Sequence, residues 1–312
     1  MSVLRSVTAD LDVSRAKPLP ENESIAFQGP VTVGAFDIDA LTARKFLNSH
    51  NPHGRSNSDV IRPVVNASDI TDRDRGRFII DFGQRSEEEA ALYEKPFEFV
   101  KQHVKPKRER NRRENRRKYW WRHGEPGTRL RAALQGKTRQ LATPRVAKHR
   151  VFKWFDPSVF VTDAVVAFAR DDDYFFGIMQ SRVHELWARR TGTQLRDVES
   201  AFRYTPKTCF KKFPFPRPSS EQVVKISEAA VQLNTFRNNW LNPGDALEAQ
   251  LIEQRTLTNL YNVRPSWLDN AHRRLDEAVF EAYGWPLEIS DEDILKNLLA
   301  LNLERSEDRA SN

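Results

Sequence analysis

The sequence predicts an α+β chain: a mixed β-sheet domain followed by a helical C-terminal segment. Three observations carry that prediction. Short runs rich in valine and aromatic residues, bounded by turn residues, recur up to about Met179. A dense basic run, Lys105 to Lys118, lies among them. From Ser219 onward, apolar residues recur at three-to-four spacing between clear capping signals.

The elements follow in order. Residues 1–22 form a flexible N-terminal segment closed by Pro18 and Pro20. IAFQGPVTVGAF, Ile25 to Phe36, is predicted as strand, turn, strand. Asp39 caps a short helix through Phe46 and Leu47, and HNPHGRSNSD, His50 to Asp59, is a polar loop. VIRPVV, Val60 to Val65, and RFIIDF, Arg77 to Phe82, are strands flanking a turn of mixed charge. Ser86 and Glu89 form a capping box, with Glu87 and Glu88 at the positive end of the helix dipole. Phe97, Val100 and Val104 give the next apolar stripe, divided by Pro96 and Pro106.

Between Lys105 and Lys118 stand nine Lys or Arg and two Glu, a surplus of seven that equals the formal charge of the whole chain. Glu109–Arg113 and Glu114–Lys118 are spaced four apart, as in a helix, so one ordered basic helix is predicted, packed by Tyr119, Trp120 and Trp121. A solvated helix face is the plain reading of such a run, and a phosphate-tracking surface is the functional one.

After Gly124 come a short helix around Leu130–Leu134 and the strands RQLAT, RVFKWF, VFVTDAVVAFA and YFFGIM. The basic connection ATPRVAKHR joins two of them, and Arg170 to Asp173 form a turn. Ser181 caps a helix carrying Val183, Leu186 and Trp187, and RYTPKTCFKKFPFP, Arg203 to Pro216, is an extended exit. The helical segment starts at the Ser219–Gln222 capping box. Asp245 with Glu248, Ser266, and Ser290 with Asp291 to Asp293 start three more helices, and the tail SEDRASN frays. Four regions result: 1–22, 23–104, 105–216 and 217–312.

Composition narrows the function. A chain of 312 residues with pI ≈ 9.5 buries a sizeable core and suits an acidic partner, most commonly nucleic acid. A single cysteine, Cys209, leaves neither a disulfide framework nor a thiolate zinc cage. The chain has no membrane-spanning run, and its start, MSVLRSVTADLDV, has no hydrophobic signal core, so a cytoplasmic protein is expected. Gly-x-Gly, the P-loop lysine motif and Pro-Pro are all missing. His50 and His53 lack a third ligand nearby, HELW lacks the second histidine of a zinc-protease helix, and Asp171 to Asp173 read as a solvated turn. No convergent acid–base set is visible, so no catalytic, cofactor-binding or metal residue is assigned.

Several segments resemble the target-recognition region of type IIL (MmeI-like) restriction–modification enzymes. They are KPKRERNRRENRRKYWW with EPGTRLRAAL, ATPRVAKHRVFKWF with FARDDDYFFGIMQSRVHELW, RYTPKTCFKKFPFP and LTNLYNVRPSWLDNAHRRLDEAVFEAYGWP. IAFQGPVTVGAF and DVIRPVVNASDI resemble the stretch that follows the methyltransferase catalytic motif in that family. The likeness runs over nearly all of residues 20 to 305. It implies that residues 23–104 follow a methyltransferase core and that 105–216 form a DNA target-recognition domain. The family's nuclease motif, cofactor loop and Asn-Pro-Pro-aromatic motif are not in this sequence.

The resemblance therefore implies the specificity part of an adenine-specific DNA methyltransferase, one that binds double-stranded DNA. A separately encoded methyltransferase chain would hold S-adenosylmethionine and flip the adenine. A fragment of a longer methyltransferase and a non-catalytic DNA-binding remnant are the alternatives. Candidate DNA-binding residues are Lys105, Lys107, Arg108, Arg110, Arg112, Arg113, Arg116, Arg117, Lys118 and Arg122 in the basic run. Arg145, Lys148, His149 and Arg150 are candidates in the connection between strands, where an arginine can read guanine. Ser181, Arg182 and His184 lie at a helix start, suited to backbone phosphate. Trp120, Trp121, Trp154 and Trp187 are read as core, and the terminal helices as packing on the recognition domain or a partner.

Overall fold

The computed structural model of the chain describes residues 11–194, 201–244 and 249–308. Within them two hydrophobic cores form, one small and one large, each over its own sheet. The α+β class expected from the sequence is what the structure has.

After two short 3-10 turns, Val13–Arg15 and Pro20–Asn22, come β1 (Ala26–Gln28), β2 (Asp37–Ile38) and α1 (Ala40–Leu47). Asp39 caps α1 by accepting from the Thr42 N–H at 2.7 Å. β3 (Ile61–Val65), α2 (Ala67–Thr71) and β4 (Phe78–Ile80) follow, then α3 (Glu87–Ala91) and α4 (Glu94–His103). The Ser86–Glu89 capping box closes in both directions. β2, β4 and β3 pair antiparallel, and a later strand, β8 (Phe160–Val161), joins β3 in parallel. Ile79 and Ile80 are both fully buried, so the two faces of β4 are covered. Phe82, Phe97, Val100, Trp120 and Trp121 close the small core.

A second four-stranded sheet, under the larger core, has the order β1-β9-β5-β7, built from β5 (Gln140–Pro144), β7 (Lys153–Phe155) and β9 (Val165–Phe168) with β1 at its edge. β1 ends against the next crossing: a Cβ on Gly29 would lie 2.2 Å from the Thr162 carbonyl oxygen, so only glycine fits there. A third, small sheet pairs β6 (Val146–Ala147) with β11 (Phe202–Arg203), and β11 with β10 (Thr193–Gln194).

Helices cover the large core: α8 (Asp173–Gln180), α9 (Arg182–Thr191), α10 (Ser220–Leu241), α13 (Ser266–Tyr283) and α14 (Asp291–Glu307). α11 (Ala249–Glu253) and α12 (Leu257–Val263) connect them. Ser219 and Gln222 cap α10 reciprocally, Gly284 ends α13 in the left-handed conformation at φ 70°, and Ser290 caps α14.

One buried ion cluster ties the two bodies together. Asp81, 2% exposed, pairs with Arg131 of α7 (Thr128–Ala133) at 2.6 Å and with Arg62 at 3.5 Å. Burial alone would raise the Asp81 carboxyl; His123, Arg131 and Arg62 beside it hold it below the usual range instead.

Several sequence expectations are corrected. YFFGIM is helix α8, not a strand: Asp172 caps it from Phe175 N–H, and burial from Phe175 through Gln180 hid the helical period. Residues 32–36 form no strand, and the second arm is the shorter β2. The mixed-charge turn after β3 opens with α2, capped by Asn66 and Asp69. The extended exit contains a π-helical turn, Pro206–Phe210. Residues 11–22 are not loose, since Leu19 donates to Lys211 O at 2.7 Å and Asn22 to Phe213 O at 2.7 Å. Pro265, not Ser266, occupies the cap position of α13. The expected Asp245–Glu248 helix start, residues 1–10 and the last four of the tail lie outside the described residues.

Candidate nucleic-acid interface

The basic run is not one helix. It is two single-turn pieces, α5 (Lys105–Glu109) and α6 (Glu114–Lys118), with Arg110 to Arg113 between them. Two local causes break it. Asn111 turns its side chain to the Arg113 N–H at 3.0 Å and competes with the helix. Arg108 points inward: its guanidinium donates to the carbonyls of Val33 (2.8 Å), Thr32 (2.9 Å) and Arg122 (2.9 Å). Glu109 and Arg113 therefore share no helical turn, whereas Glu114 and Lys118 do.

This sorts the candidate phosphate residues. Arg108, 1% exposed, is a strut, and burial lowers its pKa to about 10. Lys105 is half-buried, with its ammonium 4.9 Å from the Trp120 ring. Arg122 stacks on Tyr119 and donates to Arg85 O at 2.7 Å, and Arg116 is half-buried. Lys107, Arg110, Arg112, Arg113, Arg117 and Lys118 are exposed, and none of these six pairs with a carboxylate among the described residues. Arg117 bends back onto Asn111 O at 2.7 Å, which holds the bend between α5 and α6. The result is a bent cationic ridge seated on the small core through Trp120 and Trp121.

The second candidate region is the connection from Arg145 to Arg150. Its stems are fixed. Arg145 N–H donates to Ala164 O at 2.9 Å, Tyr204 N–H to Arg145 O at 2.7 Å, and the Arg145 guanidinium to Asp163 O at 3.1 Å. At the other end, the Gln180 amide donates to Arg150 O at 3.1 Å, and its oxygen accepts from Phe152 N–H and from Arg237, both at 3.0 Å.

Arg150 is itself buried, 2% exposed, between Phe202 and Tyr204, with its guanidinium on Thr143 Oγ1 and Pro144 O. Burial lowers its pKa to about 10. The loop therefore offers Lys148 and His149. Both meet Asn262 of α12: Lys148 Nζ and His149 Nε2 each lie 2.8 Å from its Oδ1. Asn262 sits more than a hundred residues away, and nothing in the sequence pattern pointed to it.

The third candidate group is corrected. Ser181 and His184 are fully buried. Ser181 caps α9, and His184 lies between Met179 O (3.0 Å) and the Tyr204 hydroxyl (3.1 Å), with burial lowering its pKa to about 3. Arg182 ion-pairs with Asp291, and its N–H donates to Asp276 at 2.8 Å, so the α9 start docks on α13 and α14. The N–H groups of Arg182 and His184 at this terminus are therefore taken by Asp276 and Ser181 rather than left open to a phosphate. Trp120, Trp121 and Trp187 are core as expected, and Trp154 is half-buried beneath Arg139.

Among the described residues no helix is long and apolar enough to cross a membrane, and no group of His, Cys, Asp and Glu could hold a metal ion. Asp171, Asp172 and Asp173 pair with Lys137, Arg170 and Arg139.

Comparison with known proteins agrees with this architecture. Residues 15–217 match the family model described as "MmeI, target recognition domain". The chain is 31% identical over 136 residues to DNA methyltransferase A of Bacillus subtilis (strain 168), covering 43% of this chain and 14% of that protein. Its fold is similar to the type IIL restriction–modification enzyme MmeI solved in complex with DNA, at TM-score 0.70 and 19% identity. That match covers 91% of this chain and 36% of MmeI, so the chain spans a minor part of each relative. With the family model covering well over half its length, the chain belongs to the MmeI target-recognition-domain family.

Proposed function

We propose that this chain recognises a short duplex DNA sequence on behalf of an adenine-specific methyltransferase of restriction–modification type. The observation that carries the reading is the bent ridge of six exposed cations with no carboxylate partner among the described residues, on a chain of this family. Such cations neutralise phosphates and release counterions, which gives affinity without sequence information. The short, rigidly stemmed loop bearing Lys148 and His149 is suited to base edges, where a few donors discriminate between base pairs. The catalytic part, on a separate chain or in a longer protein, would supply S-adenosylmethionine and take the target base out of the stack. This sequence has no Gly-x-Gly or Asn-Pro-Pro-aromatic motif to carry that chemistry.

A titration of DNA affinity against salt tests the reading. Engagement of the six ridge cations gives a log–log slope of roughly −5. Replacing Arg112 and Arg113 by Ala flattens it by about two and weakens binding to all sequences alike. A slope near zero for the intact chain refutes the proposal.

A further inference from the structure

Two loops of the recognition domain converge on one helix that lies beyond the residues matched by the family model. α12 presents Thr258 and Asn262, four apart and therefore on one face. Asn262 Oδ1 accepts from both Lys148 Nζ and His149 Nε2 at 2.8 Å. The Tyr261 ring next to it lies 5.8 Å from the His149 ring. One turn earlier, the Thr258 hydroxyl donates to Thr71 O at 3.2 Å and lies 3.3 Å from Asp72 Oδ1. The end of α10 adds Leu241 O, which accepts from Arg73 at 2.8 Å. A helix far along the chain thus holds both the β6–β7 loop and the turn after α2.

The stems of the β6–β7 loop are already pinned by Gln180 and Tyr204, which fixes its backbone path. They do not fix the rotamers of Lys148 and His149. Lysine loses much side-chain freedom on ordering, and a loop that must order its donors on DNA discriminates less sharply. An amide oxygen that accepts from both side chains selects one pair of rotamers before any ligand arrives. The acceptor assignment follows from chemistry, because an ammonium can only donate.

We propose that Asn262 is a positioning residue for sequence discrimination. It holds Lys148 and His149 in the arrangement that reads base edges of duplex DNA, so α12 is part of the recognition unit. This rests on reading the chain as a DNA-recognition module.

The experiment starts from duplexes enriched out of a random pool by the intact chain. Affinities for the enriched and a scrambled duplex are then compared at one salt concentration. Asn262→Ala is expected to shrink the preference ratio about tenfold while scrambled-duplex affinity stays within about twofold. Lys148→Met should give a similar loss, and the double variant little more, as for two residues acting through one contact. Asn262→Asp, which keeps an acceptor oxygen, should retain the ratio. An Asn262→Ala variant that is folded and keeps the full ratio overturns the proposal. So does one that binds both duplexes more tightly, since Asn262 would then withhold the two cations from DNA. Should the intact chain enrich no sequence, the recognition reading itself fails, a result distinct from a normal ratio in the variant.

Discussion

Arg108 and Arg112 are four apart in one basic run, yet their surroundings assign them opposite work. Arg108 satisfies backbone carbonyls inside the small core, while Arg112 stands in solvent. Composition could not separate them, because charge density says nothing about which side chains turn inward. Stability can. Arg108→Met removes the donor to the part-buried carbonyls of Val33 and Arg122, while Thr32 O keeps the Gly124 N–H, and an unpaired buried polar group costs about 1–3 kcal/mol. We expect a loss on the order of 3 kcal/mol in urea unfolding for Arg108→Met, and a change within about 0.5 kcal/mol for Arg112→Ala. Equal stabilities would mean that the inward hydrogen bonds of Arg108 are not formed in solution. Arg150 repeats the pattern: in sequence it belongs to a basic loop, in space it is a post between Phe202 and Tyr204.

At the scale of elements, legibility followed the caps. Asp39, Ser86, Ser181, Ser219 and Ser290 each start a helix at the expected residue, because a capping side chain acts on its own first turn, although Ser266 did not. Elements buried on every side were harder, as α8 illustrates. Its run YFFGIM has strand-like composition, and its helical state depends on packing against α10. Gly177 makes that packing possible: a Cβ there would lie 2.7 Å from Ile226 Cγ2 and 3.2 Å from Ala230 Cβ. In an exposed helix Gly to Ala stabilises by about 1 kcal/mol. Here we expect Gly177→Ala to destabilise by about 1–3 kcal/mol, the cost of overpacking a filled interface. A thermal melt with an unchanged or raised midpoint would show that α8 and α10 can move apart freely. The bend between α5 and α6 was missed because Asn111 and Arg108 act through partners that charge spacing does not reveal. The Asn262 contact was illegible for a plainer reason: it joins residues 113 and 114 positions apart.

Across the whole molecule, distant segments are stitched by single polar side chains. Asn302 of α14, fully buried, accepts from Lys17 N–H at 2.8 Å and donates to Lys17 O (2.8 Å) and Lys212 O (2.7 Å). It holds the first described residues against the last helix. Asn302→Ala should speed amide hydrogen exchange at Leu19 and Asn22 far more than in the middle of α10, because local opening follows the weakest tie. Uniform acceleration throughout would point to global destabilisation instead. The two larger sheets are also interlocked. β1 is the first strand among the described residues, yet it edges the β9-β5-β7 sheet, and β8 comes late, yet it edges the β2-β4-β3 sheet. A chain severed at exposed Gly136, between them, would give two fragments that each carry the strand the other is missing. Each fragment made alone would leave an unpaired β edge prone to aggregation. Made together, they have the complementary strands of a split reporter, and solubility on co-expression would follow from the reciprocal exchange.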